Sequence, residues 1–143
     1  MDPLYPILFN LSVLIALTAF HFFWLFGGKT GLKFAFPQNS KNKKKLYKPG
    51  NITLIFTVAV LAMMTWICLA QTGSFNSILD SEYIKWGNRG TAIIFVARAI
   101  GNFRYVGFSK TFKEGQFAQL DTYVYSPLCV IVALCAVVSS NNF

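Results

Sequence analysis

Four long apolar stretches divide this chain, and the connectors between them differ sharply in character. The first, 4–26, carries no formal charge; as a helix it would measure about 34 Å, enough to cross a hydrocarbon core of about 30 Å. The second, 52–70, is also uncharged and follows the break Lys48-Pro49-Gly50-Asn51, where Asn51 is placed to cap a helix start. The third, 91–108, is long enough but interrupted by Arg98, Asn102 and Arg104, so it scores poorly as a span on hydropathy alone. The fourth, 123–139, has Ser126-Pro127 near its start. Two readings of that pair stay open: Ser126 caps a helix with Pro127 in its first position, or the helix begins near Asp121 and Pro127 kinks it. The pattern predicts an all-α fold, a polytopic membrane protein forming one domain over 1–143, with four transmembrane helices in an antiparallel bundle. The N-terminal MDPLYP has an acid where a signal peptide carries basic residues, and no small-x-small site follows the first run, so that run is expected to be a mature helix.

Composition agrees with this solvent: 55% of residues are hydrophobic and 17% aromatic, while 13% are charged against roughly 25% in soluble domains. The net charge of +8 does not point to nucleic acid, because seven of the thirteen basic residues (Lys29, Lys33, Lys41, Lys43, Lys44, Lys45 and Lys48) sit in the 27–51 connector, which has no acid. The 71–90 connector is formally neutral. Positive-inside logic puts the lysine-rich loop in the cytoplasm and 71–90 outside, with both termini outside. By alternation the third connector, with Lys110 and Lys113 beside Glu114, returns to the cytoplasmic side. Lys41, Lys43, Lys44 and Lys45 form a candidate anionic-lipid loop at about 1 kcal/mol per basic residue; a solvated topology signal is the competing reading. In 71–90, residues Phe75, Ile78, Leu79, Tyr83 and Trp86 fall near one helical face, an arrangement suited to an interfacial segment.

The candidate chemistry lies where polar residues interrupt apolar ones. At about 100° per residue, Arg98, Asn102, Tyr105, Thr91 and Ser109 share one stripe of a 91–108 helix. Arg98 is expected to face the bundle interior, since a central arginine costs a few kcal/mol in hydrocarbon. Ala97 and Gly101, four residues apart, would let a second helix approach beside it. Arg104 points elsewhere, and its expected role is interfacial anchoring or pairing with Asp121. No acid lies inside an apolar run. The partner of Arg98 is therefore open between protein groups and a bound anion, for which a guanidinium fork is suited. In the first run His21 shares a face with Asn10 and Thr18, either as a proton-handling group or as a hydrogen-bonding helix contact. There is no second histidine, and Cys68, Cys129 and Cys135 make no CxxC pair; neither a metal nor a cofactor is expected.

The elements FHFFWLFGG, ARAIGNFRYVGF and LDTYVYSPLC together resemble a family of small bacterial integral membrane proteins catalogued as domain of unknown function 3995. The resemblance covers most of the chain. It implies a four-helix protein of the bacterial cytoplasmic (inner) membrane and singles out His21, Trp24, Gly27 and Gly28, then Arg98, Gly101, Arg104, Tyr105 and Gly107, then Asp121, Tyr125, Ser126 and Pro127. In that pattern the position of Asn102 is commonly aspartate, so this chain keeps a hydrogen-bonding group there and loses a local counterion. The resemblance supplies no activity.

The expected function is a non-catalytic lipid- or small-anion-binding protein, or an accessory subunit, with Arg98, Asn102, Tyr105, His21 and Trp24 as ligand-binding residues. Expected partners are membrane lipids including anionic headgroups, with a larger membrane complex or a homo-oligomer as further possibilities. Two alternatives are a small oligomeric transporter or channel, and a membrane enzyme in which His21 is the acid/base group and Arg98 steadies negative charge.

Overall fold

The computed structural model describes residues 4–37, 50–74, 80–113 and 115–142. Among them all regular structure is helical. Helix α1 (Leu4–Leu25) is stopped by two glycines: Gly27 takes a left-handed φ of 87°, its N–H meets the Trp24 carbonyl, and the Gly28 N–H reaches back to Phe23 O at 3.0 Å. Only a residue without Cβ enters that conformation cheaply, which is why helices so often end this way. A short turn, α2 (Leu32–Ala35), follows; α3 (Asn51–Leu69) begins with Gly50, not Asn51, at the cap position and no side-chain cap. It continues into one π turn, Ala70–Ser74, which closes at Gly73.

The third long helix departs most from expectation. Helix α4 runs Ser81–Ile100, not 91–108. Glu82 sits in its first turn and Arg98 in its last, each where the helix dipole favours that charge. It stops at Gly101, whose φ is 84° and where a Cβ would fall 1.7 Å from the Val106 carbonyl oxygen. The chain turns back there, so residues 101–113 form a folded loop and the five-residue polar stripe of a continuous helix does not exist.

The last helical stretch begins earlier than either reading of Pro127 allowed. Helix α5 (Gly115–Leu120), one π turn (Asp121–Tyr125) and α6 (Ser126–Ser140) follow without a break. Pro127 has no N–H to offer the Tyr123 carbonyl and its ring crowds that turn; the π turn, in which the Ser126 N–H reaches Asp121 O, is the local widening that accommodates it.

Three stretches, Leu4–Leu25, Asn51–Gly73 and Gly115–Ser140, are long and apolar enough to cross a membrane, which makes this a multi-pass membrane protein by length and composition. Helix α4, with Glu82, Lys85, Arg89 and Arg98, does not meet that measure. Polar contacts between apolar surfaces set the packing: Asn10 Nδ2 donates to Val132 O at 3.1 Å, Thr18 and Thr65 hydroxyls lie 3.3 Å apart, and Gln71 Nε2 donates to Asn88 Oδ1 at 2.9 Å. Such bonds fix register where burial alone cannot, because lipid is as apolar as the core. Leu14, Val132 and Ala136 fill the centre, and α4 packs chiefly on α6. The ends of α1 and α4 and the start of the last stretch lie together, as the bonds Arg98–Asp121 and Tyr125 Oη to Phe34 O require.

Candidate functional site

Asp121 is the centre of the polar structure at that end. It is fully buried, and each of its oxygens is taken: Oδ1 accepts from Arg98 Nη2 at 2.9 Å, and Oδ2 from Lys110 Nζ at 2.9 Å and from the Gly107 N–H at 2.7 Å. Lys110, itself buried, also donates to Thr122 Oγ1 at 2.6 Å and to Gly107 O at 3.3 Å. A carboxylate in an apolar setting is tolerable only when paired and hydrogen-bonded, and here both conditions hold. Two cations on one carboxylate leave the cluster with a formal charge of +1.

The loop exists to make this cluster. Gly107 has a φ of 88°, and a Cβ there would come within 2.4 Å of Ile100 O. The Phe108 N–H bonds to Ala99 O and the Ser109 N–H to Ile100 O, so the returning chain satisfies carbonyls that the end of α4 would otherwise leave open. Asn102 organises the turn: its Oδ1 accepts from the N–H groups of Arg104, Tyr105 and Val106, at 2.8 to 3.2 Å. An aspartate at this position would accept the same three bonds, and the counterion of Arg98 is Asp121. Phe103, at the tip, is the one described non-glycine residue with positive φ.

The sequence-predicted residues divide accordingly. Arg98 lies at the end of α4, not in its middle, with about a third of its side chain exposed and Nη1 buried without a hydrogen-bond partner. The expected Arg104–Asp121 pair is replaced by Arg98–Asp121, because the reversal at Gly101 carries Arg104 away; its guanidinium lies 5.1 Å from the Tyr105 ring centre. Tyr105 stacks edgewise on Phe112. Asn102 and Tyr105 are thus parts of the loop and are not brought to the guanidinium by any hydrogen bond among the described residues. His21 donates from Nδ1 to Leu17 O at 2.8 Å and meets Trp24 edge-on; Trp24 donates to Thr30 O and packs on Phe36. That pair fastens the α1–α2 connector and shares no hydrogen bond with the Asp121 cluster. Lys41, Lys43, Lys44 and Lys45, and the interfacial candidates Phe75, Ile78 and Leu79, fall outside the described residues.

Sequence reasoning missed Lys110, the Gly107 N–H and Thr122. The available signal was Asp121 itself, an acid at the head of a long apolar run, which requires cations from the loop before it; the sequence does not choose among Arg98, Arg104, Lys110 and Lys113.

Chemically, the cluster holds its carboxylate fully engaged, leaving no acid oxygen free to take a proton from a substrate. What it offers outward is positive charge. A family model described as protein of unknown function (DUF3995) matches residues 14–136. Comparison with curated proteins and with solved structures returns no match.

Proposed function

This chain belongs to the DUF3995 family, a family of unknown function, and we propose that it is a non-catalytic membrane protein whose Arg98 binds the phosphate of an anionic lipid headgroup. The observation that carries this reading is the unbalanced charge of the buried cluster. Asp121 neutralises one of its two cations, and Arg98 is the exposed one of the pair, while Lys110 is enclosed. A guanidinium that has already spent Nη2 on a carboxylate keeps donors in the same plane for a second anion.

Depth favours a headgroup over a solute. Asp121 lies six residues into the Gly115–Ser140 stretch, about 9 Å along a helix axis, which is near the boundary where lipid phosphates sit. In this reading α4 is a fourth crossing. Gln71, just past the end of α3, holds Asn88 in the first half of α4, and Asp121 holds Arg98 at its end, so α4 packs along α6 and meets α3 near one end. The cluster and the described residues 27–37 share one end of the molecule, as Tyr125 Oη donating to Phe34 O requires; by the positive-inside rule, read from the lysines that the sequence carries between 27 and 51, that end is cytoplasmic, where anionic lipid is concentrated.

Native mass spectrometry of protein purified from membranes tests the proposal. Wild type is expected to retain phospholipid with an anionic headgroup, and Arg98→Gln to lose it while remaining folded, because Lys110 and Asp121 then form a neutral pair. Equal retention by both proteins would count against it.

A further inference from the structure

We infer that the tip of the 101–113 loop is inserted into the lipid leaflet at the Asp121 end, with Phe103 and Phe108 among the upper acyl chains and Arg104 and Lys113 at the phosphates. This insertion follows from Gly115–Ser140 crossing the membrane and is independent of phosphate binding at Arg98. That stretch holds 26 residues, about 39 Å of helix, against a hydrocarbon core of about 30 Å. With Ser140 at the far boundary, the surplus of about 9 Å covers the turns from Gly115 to Asp121, so Asp121 stands at the near boundary.

The loop is pinned at that depth. The Gly107 N–H and Lys110 Nζ both bond to Asp121 Oδ2, and the Phe108 N–H bonds to Ala99 O in the last turn of α4. The Thr111 N–H meets Phe103 O at 3.2 Å and the Phe112 N–H meets Arg104 O at 2.9 Å, which ties the tip to the limb that carries Lys110. Phe103 is 65% exposed and Phe108 54%. No acid lies between Gly101 and Lys113, and Arg104 and Lys113, the loop cations outside the Asp121 cluster, are both exposed. Exposed aromatic rings flanked by cations on an acid-free segment suit the boundary of an anionic leaflet, where rings sit among the first methylenes and long basic side chains reach the phosphates.

The backbone at Phe103 argues against water as the surrounding. Its φ of 60° is left-handed, a region that glycine or asparagine enters cheaply and a bulky side chain does not. Asn102 Oδ1, taking three N–H groups of the same turn, and the Thr111 bond hold the residue there. Its ring meets no other aromatic ring among the described residues. A strained position that displays an apolar ring outward points to function, and at this depth burial of the ring in lipid offsets the strain.

Spin labels on Phe103→Cys and Phe108→Cys test this in vesicles of phosphatidylcholine and phosphatidylglycerol, with labelled wild type, carrying its free Cys68, Cys129 and Cys135, as the blank. Collision with oxygen, which concentrates in lipid, should exceed collision with a water-soluble nickel chelate at least threefold at both sites. The ratio should stay below that of Leu134→Cys, on the exposed face of α6. Adding Phe103→Asn, which keeps a side chain tolerant of left-handed backbone and removes the ring, should lower the ratio at Phe108→Cys at least twofold. Dominant chelate collision at either site (a loop in water), shielding of Phe103→Cys from both reagents (a protein contact), or indifference to Phe103→Asn would each overturn the insertion. Lipid retention lost in Arg98→Gln is a separate readout, so phosphate binding at Arg98 and insertion of the loop can each fail alone.

Discussion

Arg98 Nη2 lies 2.9 Å from Asp121 Oδ1, joining the last turn of α4 to the π turn that precedes α6. Lys110 approaches the other oxygen at the same distance. Because the carboxylate has two cations, the three residues are not equivalent, and their substitutions should separate.

Asp121→Asn leaves two buried or half-buried cations facing each other without an anion. Loss of the charged partner of a buried pair costs roughly 3–5 kcal/mol, so this variant should melt far below wild type or fail to accumulate. Thermal unfolding in one detergent, followed by circular dichroism, measures it. Lys110→Met, which leaves the Arg98–Asp121 pair neutral, should cost less, about 1–2 kcal/mol for its lost hydrogen bonds. Equal losses in the two variants would contradict the assignment of Asp121 as the hub.

The loop glycines make a second ordered series. Gly27→Ala should cost about 1–2 kcal/mol, the price of a left-handed backbone for an alanine, since a Cβ there meets no neighbour within 4 Å. Gly101→Ala should cost clearly more, because the added carbon would collide with the Val106 carbonyl. Melting temperatures of the two variants, compared side by side, test the ranking.

Asn102 acts through one oxygen. Asn102→Asp should leave stability within about 0.5 kcal/mol of wild type, while Asn102→Ala, which strands three N–H groups, should lose about 1–2 kcal/mol, the usual cost of removing a capping acceptor. Were Asn102→Asp instead to raise stability strongly, a charge pairing with Arg98 would be indicated, contrary to the geometry described above.

How much of this was legible in the chain depends on what kind of signal each element carried. Helices α1 and α3 were plain because their apolar runs are uninterrupted and end at Gly27-Gly28 and near Gly73. Helix α4 was placed too late because Glu82, Lys85 and Arg89 count against a hydrophobic span, although nothing prevents such residues from being helical. Gly101 was read as a small residue for close packing, although a glycine is also a common helix stop because it takes a positive φ cheaply; here it caps α4 at φ 84°, and the chain returns so that Val106 lies against it. That one error placed Arg98 in mid-helix instead of at the helix end and gave Arg104 the partner that belongs to Arg98. The sequence left the partner of Arg98 open between protein groups and a bound anion; the structure supplies a protein carboxylate, Asp121. Lys110 was invisible because a lysine eleven residues before an aspartate in a loop has no pattern.

The most direct test of the central claim is the structure of the protein crystallised in a lipidic phase doped with anionic phospholipid, read at the Arg98 guanidinium. The account predicts a headgroup phosphate oxygen about 2.7–3.0 Å from a guanidinium nitrogen, with Asp121 retained on Nη2. A guanidinium contacting only protein carbonyls or water, with no anion beside it, would contradict it.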